Sequence, residues 1–361
     1  MKVGITIDLS SPFWSNGFNQ YLVFLYESLE EIGCDCYYLS EKEPKFLPPK
    51  NHKGMVVKDL IADKSETFDV VVYGSFILSD DCIDMLYNRN RKIKFNLINY
   101  SNKIFDDISF SIYSRGQKFI PARPKRLSSV WLNEEFGYQS SYVKTFYKVK
   151  NVKAIPFMWE SCFIENEKNY KGLIADLKEM KMNKICIFEP NESFVKSCVI
   201  PLMICENFNN NHAGRIDSIN IFSSEKIKKS PYFVKLASSL NLLKKRDFCF
   251  FNNKWKVVDS LKRFGGTVVS HNIMNELNFN HLEVAFLGLP LIHNSEINKE
   301  LGYFYDGFDV DMACRQILKS MNYHKDIYNE YRDFSISLIE KFNPKNKYNI
   351  ERINNLINEE T

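Results

Sequence analysis

Short runs of β-branched and other apolar residues alternate along this sequence with longer segments of helical periodicity. The first run, KVGITIDL, is followed by the turn-rich SSPFWSNG and then by FNQYLVFLYESLEEIG. In the last segment, apolar residues recur at steps of three and four between Phe18 and Ile32, and the pattern ends at Gly33. Strands that are separated by helices in this way predict an open, mostly parallel α/β sheet.

Further runs of the same kind fall into two series. In the first series we expect strands in CYYLS, FDVVVYGS, KIKFNLINYS and LSSVWLNEEFG. The second series contains NKICIFEPN, SINIFSS, DFCFF and GTVVSHN, with a helix at PLMICENFNN. The chain has 361 residues, and a single hydrophobic core seldom grows beyond about 250–300 residues. The two series therefore predict two tandem Rossmann-like, doubly wound domains.

The positions of the two series predict the domain boundaries. We expect an N-terminal domain at 1–156, an interdomain linker at 157–180 and a C-terminal domain at 181–340. The end of the chain has helical periodicity, and we expect residues 341–361 to form a helix that packs back on the N-terminal domain. Ligands bind beyond the carboxyl ends of parallel strands, so the two sheets are expected to face each other across a ligand-binding cleft.

Composition argues against several classes of function. The 48 basic and 44 acidic residues are spread along the chain and give a net charge of only +4, so we expect no nucleic-acid partner. No window offers about 18 uninterrupted apolar residues, and the start MKVGITIDLSS lacks the apolar core of a signal peptide. We therefore expect a soluble, cytoplasmic protein without a transmembrane segment. The cysteines and histidines show no metal-site spacing, so neither a metal nor a cofactor is predicted.

The loop after the first predicted strand, SSPFWSNGFNQ, offers neutral hydrogen-bonding groups at the start of a helix. Gly17 would let a ligand approach the backbone, while Asn16, Asn19 and Gln20 provide the hydrogen bonds that sugars need. An equally good explanation is a helix start at which Asn16 is the N-cap and Trp14 covers the edge of the domain. Neither a GxxxxGK[ST] phosphate loop nor a GxGxxG motif is present.

The loop CIFEPNESFVKS follows the first strand of the second series and contains a candidate phosphate site. Lys196 is placed to neutralise a diphosphate, and Asn191 or Ser193 to donate hydrogen bonds to it. The alternative is a surface lysine beside a capped turn. Pro201 leaves two arrangements open: a helix that starts near Ser193 and is kinked at Pro201, or a helix that starts at Pro201 after an irregular loop.

The segment VVSHNIMNELNFNHLEVAFLGLPLIHNSE is the densest polar stretch of the chain. Its candidate polar residues are His271, Asn272, Asn275, Glu276, Asn278, His281, Glu283, Asn294 and Ser295. Polar groups close to a buried sheet edge need partners, and a bound polar ligand would supply them. Taken as a set, these residues predict a binding site, although His271 alone is more simply explained as a structural histidine. Glu283 alone is explained by a position in the first helical turn, where a carboxylate suits the positive helix end.

This stretch resembles the donor-binding region of GT-B glycosyltransferases. In that fold a helix with a glutamate is followed by a small-residue turn and a proline-containing strand, which here are Glu283 and then VAFLGLPLI. The resemblance implies that Glu283 holds the ribose hydroxyls of a nucleotide diphosphate sugar and that Lys196 contacts the diphosphate. The other residues assigned to the donor side are Asn191, Ser193, Asn272, Asn275, Asn278, His281, Asn294 and Ser295.

Nearly the whole chain is similar to an uncharacterised family that is related to GT-B glycosyltransferases. The similarity rests on FWSNGFNQYLVFL, FEPNESFVKSCVIPLMICE, VVSHNIMNELNFNHLE and LGYFYDGFD, among other segments. Many retaining GT-B enzymes have two glutamates separated by seven residues, but this chain has Asn275 at the first position and Glu276 one residue later. Glu276 and His271 are the candidate catalytic residues, and retention is favoured only through this displaced pair.

The leading hypothesis is a metal-independent glycosyltransferase that moves a sugar from a nucleotide diphosphate sugar to a glycan or another hydroxyl acceptor. The acceptor is expected on the N-terminal domain, at Trp14, Asn16, Gly17, Asn19 and Gln20. One alternative is an epimerase or hydrolase of nucleotide sugars, which would act on the donor without an acceptor. The other is a glycan-binding protein of the same fold that lacks catalysis. The sequence makes no prediction about the oligomeric state.

Overall fold

The computed structural model describes residues 1–48, 50–113 and 123–359, which form two compact units. Unit 1 comprises Met1–Phe163 and Lys341–Thr361, and unit 2 comprises Ile164–Glu340. Each unit is built on one parallel sheet that is flanked by helices. The predicted architecture of two tandem Rossmann-like domains with helices at the carboxyl terminus is thereby confirmed.

In the described part of unit 1, seven strands form a single parallel sheet. The strands are β1 (Lys2–Thr6), β2 (Asp35–Ser40), β3 (Gly54–Val56), β4 (Val70–Tyr73), β5 (Lys94–Asn99), β6 (Leu127–Asn133) and β7 (Asn151–Ile155). Their order in the sheet is β3-β2-β1-β4-β5-β6-β7. The direction of winding therefore reverses between β1 and β4, and a crevice opens at their carboxyl ends.

The sheet of unit 2 has six strands and the same kind of reversal. The strands are β8 (Lys184–Ile187), β9 (Ser218–Ile221), β10 (Cys249–Phe251), β11 (Thr267–Val269), β12 (Leu291–His293) and β13 (Tyr303–Phe304). Their order is β10-β9-β8-β11-β12-β13, with β8 and β11 adjacent and parallel at the centre. The crevice of this sheet consequently lies at the carboxyl ends of β8 and β11.

Helices cover the faces of both sheets. They are α1 (Gly17–Glu31), α2 (Val57–Ala62), α3 (Asp80–Arg89), α4 (Lys103–Tyr113), α5 (Ser140–Tyr147), α6 (Cys162–Glu165), α7 (Tyr170–Lys178), α8 (Val199–Asn211), α9 (Pro231–Ser238), α10 (Asn241–Lys244), α11 (Val257–Phe264), α12 (Phe279–Phe286), α13 (Val310–Tyr323), α14 (Tyr328–Ile339) and α15 (Lys347–Asn358). Over the residues that the structure describes, no helix is long and apolar enough to span a lipid bilayer.

The last helix, α15, packs on unit 1. It contacts α1 and β7, and Ile353, Leu356 and Ile357 on it are buried. Hydrogen bonds hold the segment before it, since Ser28 Oγ on α1 donates to the carbonyl oxygen of Pro344 over 2.9 Å. The end of the chain thus completes the core of the unit that contains its beginning.

Three strands have no counterpart in the sequence analysis, namely β3, β7 and β13. Each lies at an edge of its sheet. The residues of β3 and β7 are largely exposed or half-buried, and β13 has only two residues. An edge strand has fewer buried positions than a central strand of a parallel sheet, so it lacks the continuous apolar run by which a strand is identified.

Candidate functional site

The candidate site lies in unit 2, on the two loops that follow the central strands β8 and β11. Hydrogen bonds join these loops directly. Glu189 Oε1 accepts from Ser270 Oγ over 2.5 Å and from the backbone amide of His271 over 3.1 Å. The backbone amide of Ile273 donates to the carbonyl oxygen of Val195 over 2.9 Å. The loops therefore form one platform at the point where the winding of the sheet reverses.

Glu189 is the central residue of this platform, although no role is predicted for it from the sequence. Its side chain is buried, with only 2% of the residue exposed. The second carboxylate oxygen, Oε2, has no hydrogen-bond partner among the described residues. Burial raises the pKa of Glu189 to about 7, although the hydrogen bond from Ser270 and the positive charge of Lys196 act to lower it. The sequence signal was a carboxylate directly after an apolar strand and before Pro190.

His271 presents an unprotonated nitrogen in the same place. The hydroxyl of Tyr305 donates its hydrogen to the carbonyl oxygen of Ser270 over 3.0 Å, and the same hydroxyl lies 2.9 Å from His271 Nδ1. Because a hydroxyl has one hydrogen, Nδ1 must carry the imidazole hydrogen and Nε2 is an acceptor. Nε2 is buried and has no partner among the described residues, and burial lowers the pKa of His271 to about 4. The ring is therefore neutral.

His281 and Asn272 extend the network. His281 Nε2 lies 2.8 Å from Ser270 Oγ and 3.2 Å from Asn272 Nδ2. Asn272 is held from the other side by Asn294, whose Oδ1 accepts from the Asn272 amide and whose Nδ2 donates to the Asn272 carbonyl, each over 2.9 Å. Asn272 Oδ1 is buried and has no partner in the described part of the chain. The structure thus brings together the predicted residues His271, Asn272, His281 and Asn294.

Other predicted donor-side residues shape the loop before α12. Glu276 Oε2 accepts from the amide of Ile297 over 2.9 Å, and the Glu276 carbonyl accepts from Ser295 Oγ over 3.4 Å. Asn278 is the N-cap of α12. The Asn275 side chain makes no hydrogen bond to any residue that the structure describes. Asn278 therefore has a local structural function, and one oxygen of Glu276 is already engaged.

Asn191 holds the loop after β8 in place. Its backbone is in the left-handed region, with φ of +56°. Its side-chain Oδ1 accepts from the amide of Cys198 over 2.8 Å, and Nδ2 donates to the carbonyl of Glu189 over 2.7 Å. Helix α8 begins only at Val199, so Pro201 is its third residue and follows an irregular loop. Proline is tolerated in a first helical turn, where its missing N–H would have had no intrahelical partner.

Lys196 lies between the two loops. Its Nζ donates to the carbonyl oxygen of Leu277 over 3.4 Å. Its charge acts on the pKa values of both Glu189 and His281, which places the ammonium group beside the network. The hydroxyl of Ser193, three residues earlier, has no hydrogen-bond partner within the described residues. The loop after β8 therefore carries the ammonium group of Lys196 and the hydroxyl group of Ser193.

Glu283 is not in the first turn of its helix, so the explanation by the helix dipole is wrong. Helix α12 begins at Phe279, and Glu283 is its fifth residue. The side chain is half-buried and makes no hydrogen bond or ion pair with the described residues. Burial raises the pKa of Glu283 to about 7, against the lowering effect of the Lys256 charge. Lys256 itself is paired with Glu167.

The end of α12 is fixed by Gly288. The Gly288 amide donates to the carbonyl of Ala285 over 3.0 Å, and the Leu289 amide donates to the carbonyl of Val284 over 3.1 Å. This pair of bonds is a Schellman motif, which needs a left-handed residue at the position of Gly288, where φ is +74°. The motif fixes the length of the helix that presents Glu283.

The predicted acceptor residues lie in unit 1, after β1. Asn16 caps α1 by accepting from the amide of Phe18 over 3.0 Å, and Gly17 is the first residue of that helix. Asn19 Nδ2 donates to the carbonyl of Asp8 over 2.8 Å.

Two further contacts complete this region of unit 1. Asn19 Oδ1 accepts from Ser75 Oγ over 2.6 Å, and Gln20 Nε2 donates to the carbonyl of Phe13 over 3.2 Å. The amides of Asn19 and Gln20 thus join buried loops, while Trp14 is 39% exposed.

A cavity of about 270 Å³ lies at the carboxyl ends of β1, β2 and β4 in unit 1. Its lining consists of Asp8, Leu9, Ser10, Glu41, Lys42, Ser75 and Phe76. The five residues predicted for the acceptor are therefore beside this cavity in sequence but do not line it. Across residues 1–48, 50–113 and 123–359, no cluster of His, Cys, Asp or Glu is arranged to hold a metal ion.

Replacement of Glu189 by glutamine is expected to stabilise the protein at pH 8 and to have little effect at pH 5. The folded-state pKa of about 7 exceeds the ordinary value of 4.5, so protonation favours the folded state. That stabilisation is complete below about pH 4.5 and is lost as the pH rises through about 7. At pH 8 the variant should gain about 1–3 kcal/mol, which melting temperatures at both pH values would detect.

The control for this prediction is Glu192→Gln on the same loop, because Glu192 is exposed and is paired with Lys226. Glu283 also titrates near pH 7, but it is common to all three proteins. His271 stays neutral throughout this range. An equal effect of Glu189→Gln at pH 5 and pH 8 would contradict the raised pKa.

Three solved structures show the same fold over almost the full chain. An alpha-glucosyltransferase in complex with UDP and a 13-mer DNA is 10% identical, with 98% of this chain and 99% of that chain covered and a TM-score of 0.63. A sucrose-phosphate synthase from Thermosynechococcus elongatus is 10% identical, with 99% and 98% covered and a TM-score of 0.60. HepE from Anabaena, in complex with UDP and glucose, is 11% identical, with the same coverage of 99% and 98% and a TM-score of 0.60.

These likenesses confirm the expected GT-B fold. At such low identity they show the fold alone. The structure with DNA also means that the fold does not exclude a nucleic-acid partner, so the expectation of none rests only on the charge distribution.

Comparison with curated proteins finds no match to the sequence. A family model described as "Protein of unknown function (DUF2827)" matches residues 3–357, which is nearly the entire chain. The chain belongs to this DUF2827 family.

Proposed function

We propose that the protein is a glycosyltransferase that takes its sugar from a nucleotide diphosphate sugar. The donor binds in unit 2, at the carboxyl ends of β8 and β11, and Glu283 holds the ribose of the nucleotide. The shared fold supports this proposal, because related structures contain UDP or UDP-glucose. The main observation in its favour is that the half-buried carboxylate of Glu283 has no hydrogen-bond partner among the described residues.

A half-buried carboxylate without a partner is costly to maintain. Glu283 is half-buried and has no hydrogen-bond partner among the described residues, and burial raises its pKa to about 7. Its two oxygens can accept from the two adjacent hydroxyls of a ribose, which would supply the missing hydrogen bonds. Helix α12, whose length is fixed by the Schellman motif at Gly288, presents the carboxylate for this contact.

The diphosphate is assigned to the neighbourhood of Lys196. This ammonium group lies where the loops after β8 and β11 meet, and the Ser193 hydroxyl is on the same loop. Charge develops on the diphosphate as the bond to the sugar breaks. A positioned cation stabilises that charge more in the transition state than in the ground state, so Lys196 would contribute to the rate.

The two candidate catalytic residues differ in what they can do. His271 has a pKa of about 4, so its bare Nε2 is a weak base and is better suited to accept a hydrogen bond than to abstract a proton. Glu276 keeps one carboxylate oxygen for a ligand, because Oε2 is engaged by the Ile297 amide. We therefore propose that orientation of the substrates and stabilisation of the leaving group are the main sources of catalysis. If the reaction retains the configuration of the sugar, Glu276 is the candidate catalytic carboxylate.

The acceptor is proposed to be a glycan or another hydroxyl compound that binds to unit 1. Trp14 is the exposed aromatic residue among those predicted there, and aromatic rings pack well against the apolar faces of sugars. Release of UDP that requires such an acceptor would support transfer. Conversion of the donor in its absence would instead identify a hydrolase or epimerase.

Replacement of Glu283 by alanine is expected to weaken nucleotide binding by about 10–100-fold. This range corresponds to the loss of hydrogen bonds to a charged group, about 1.5–3 kcal/mol. Isothermal titration calorimetry with UDP, GDP, CMP and dTDP should first identify the nucleotide that binds. The exposed Glu296 on a neighbouring turn provides the control substitution, Glu296→Ala. If no nucleotide binds, or if Glu283→Ala binds as well as the unsubstituted protein, the donor site is wrongly assigned.

A further inference from the structure

Four buried polar atoms on the network around Ser270 have no hydrogen-bond partner among the described residues. Glu189 Oε2, His271 Nε2 and Asn272 Oδ1 are acceptors, and the fourth atom is the ring nitrogen Nδ1 of His281. The network itself is continuous, because Glu189 accepts from both the Ser270 hydroxyl and the His271 amide, and Asn272 follows His271 in the chain. A concentration of unpaired acceptors at one sheet edge is unusual, since most buried polar side-chain atoms are paired.

The chemistry of these atoms restricts what can lie against them. A carboxylate oxygen, a bare imidazole nitrogen and an amide oxygen all accept hydrogen bonds and donate none. A diphosphate at neutral pH also has acceptors only, so it cannot donate hydrogen bonds to the bare nitrogen of His271 or to the amide oxygen of Asn272. A group with several hydroxyl hydrogens satisfies all three atoms. The acceptors therefore favour the sugar over the diphosphate as their ligand.

Phe308 adds an apolar surface at the same place. Its ring is 60% exposed, and its centroid lies 4.7 Å from the centroid of the His271 ring. The loop that carries it is attached to the network through Tyr305, whose hydroxyl donates to the Ser270 carbonyl. A pyranose has a rim of hydroxyls and an apolar C–H face. A set of acceptors beside an exposed aromatic ring matches both of these features.

We propose that Glu189, His271, Asn272 and Phe308 form the subsite for the transferred sugar, and that this subsite selects a sugar with free hydroxyl groups over its deoxy analogues. The inference rests on the proposed function, because it assumes a nucleotide-sugar donor. Hydroxyl groups of the sugar donate to the three acceptors, and the Phe308 ring packs against its C–H face.

The test compares the affinity for UDP with the affinity for a UDP-sugar. The probes are UDP, UDP-glucose, UDP-galactose and UDP-N-acetylglucosamine, measured by isothermal titration calorimetry, followed by an analogue of the best sugar that lacks one hydroxyl. The variants are Phe308→Ala and Glu189→Gln. The matched control is Phe334→Ala, because Phe334 is exposed to a similar degree, 55%, and lies on helix α14 of the same unit.

We expect the best UDP-sugar to bind more tightly than UDP. Phe308→Ala and Glu189→Gln should each reduce its affinity about 5–20-fold, while the affinity for UDP changes less than about twofold. A deoxy analogue should lose about tenfold with the unsubstituted protein and less with Glu189→Gln, because one acceptor is then absent. Phe334→Ala should leave both affinities unchanged.

Other results would separate this inference from the proposed function. If UDP binds but UDP-sugars bind no more tightly, or if the two variants change UDP and UDP-sugar binding alike, the subsite is overturned while the nucleotide site stands. Full retention of affinity by the deoxy analogues would overturn the proposed selectivity, with internal water as the partner of the acceptors. If no nucleotide binds, the proposed function fails and the sugar subsite fails with it.

Discussion

Replacement of Gly266 by alanine is expected to destabilise the protein by more than about 4 kcal/mol and to prevent the accumulation of folded unit 2. Gly266 directly precedes β11, and its φ of +95° is a conformation that residues with a side chain rarely adopt. A Cβ atom at this position would lie 1.6 Å from the carbonyl oxygen of Lys184 on β8. The clash is with backbone, so it can be relieved only by separating the two central strands.

The control for this substitution is Gly214→Ala in the same unit. Gly214 also has a positive φ, +79°, but a Cβ atom there would meet nothing within 4 Å. Gly214→Ala should therefore destabilise the protein only by the conformational penalty of about 1–2 kcal/mol. Urea unfolding and limited proteolysis of both variants would measure the difference. Comparable stability of the two variants would show that β8 and β11 are not held as closely as described.

Replacement of Lys196 by alanine is expected to reduce the rate of UDP release from the donor sugar by about 10²–10³-fold. This is the usual effect of removing a group that stabilises charge in the transition state. The affinity for UDP should fall much less, because the interaction strengthens as the diphosphate departs. The measurement is release of UDP from the UDP-sugar that binds best, with the affinity for UDP determined in parallel.

Lys226 provides the matched control for Lys196. It is an exposed lysine of the same unit and is paired with Glu192 on the loop after β8. Lys226→Ala should release UDP at the normal rate, and a melting curve should show that Lys196→Ala is folded. An unchanged rate with Lys196→Ala would remove this residue from the diphosphate site and leave the loop after β8 without an identified cation.

The fold could be predicted because its determinants are local. The helical spacing of apolar residues in α1 and the apolar runs at β1, β8 and β11 are visible in short windows of sequence. Two such series also predict two parallel sheets. Three edge strands, β3, β7 and β13, were missed because they have few buried positions or are very short. The position of Glu283 in α12 was misjudged because helix starts are less distinct than helix periodicity.

The candidate site could be predicted only in part. Residues 271–295 were recognised as a set, since polar density next to apolar elements is a feature of sequence. Glu189 was missed because a carboxylate between an apolar strand and Pro190 does not reveal the contact with His271, and Phe308 has no signal near it in sequence. Conversely, Asn19 and Gln20 looked like ligand contacts, although their amides bond to backbone or to Ser75 within unit 1. Residue type alone does not tell a satisfied amide from an available one.

By itself, the sequence determined the α/β class, the two domains and the helix that presents Glu283, because each depends on periodicity or on turns within a few residues. Only the tertiary structure decided which polar atoms are paired and which remain unpaired. Glu189 meets His271 across 82 positions of sequence, and this contact exists because β8 and β11 are neighbours in the sheet. Whether a buried acceptor has a hydrogen-bond partner depends on such distant neighbours. A binding site that is recognised by its unpaired acceptors therefore depends on them as well.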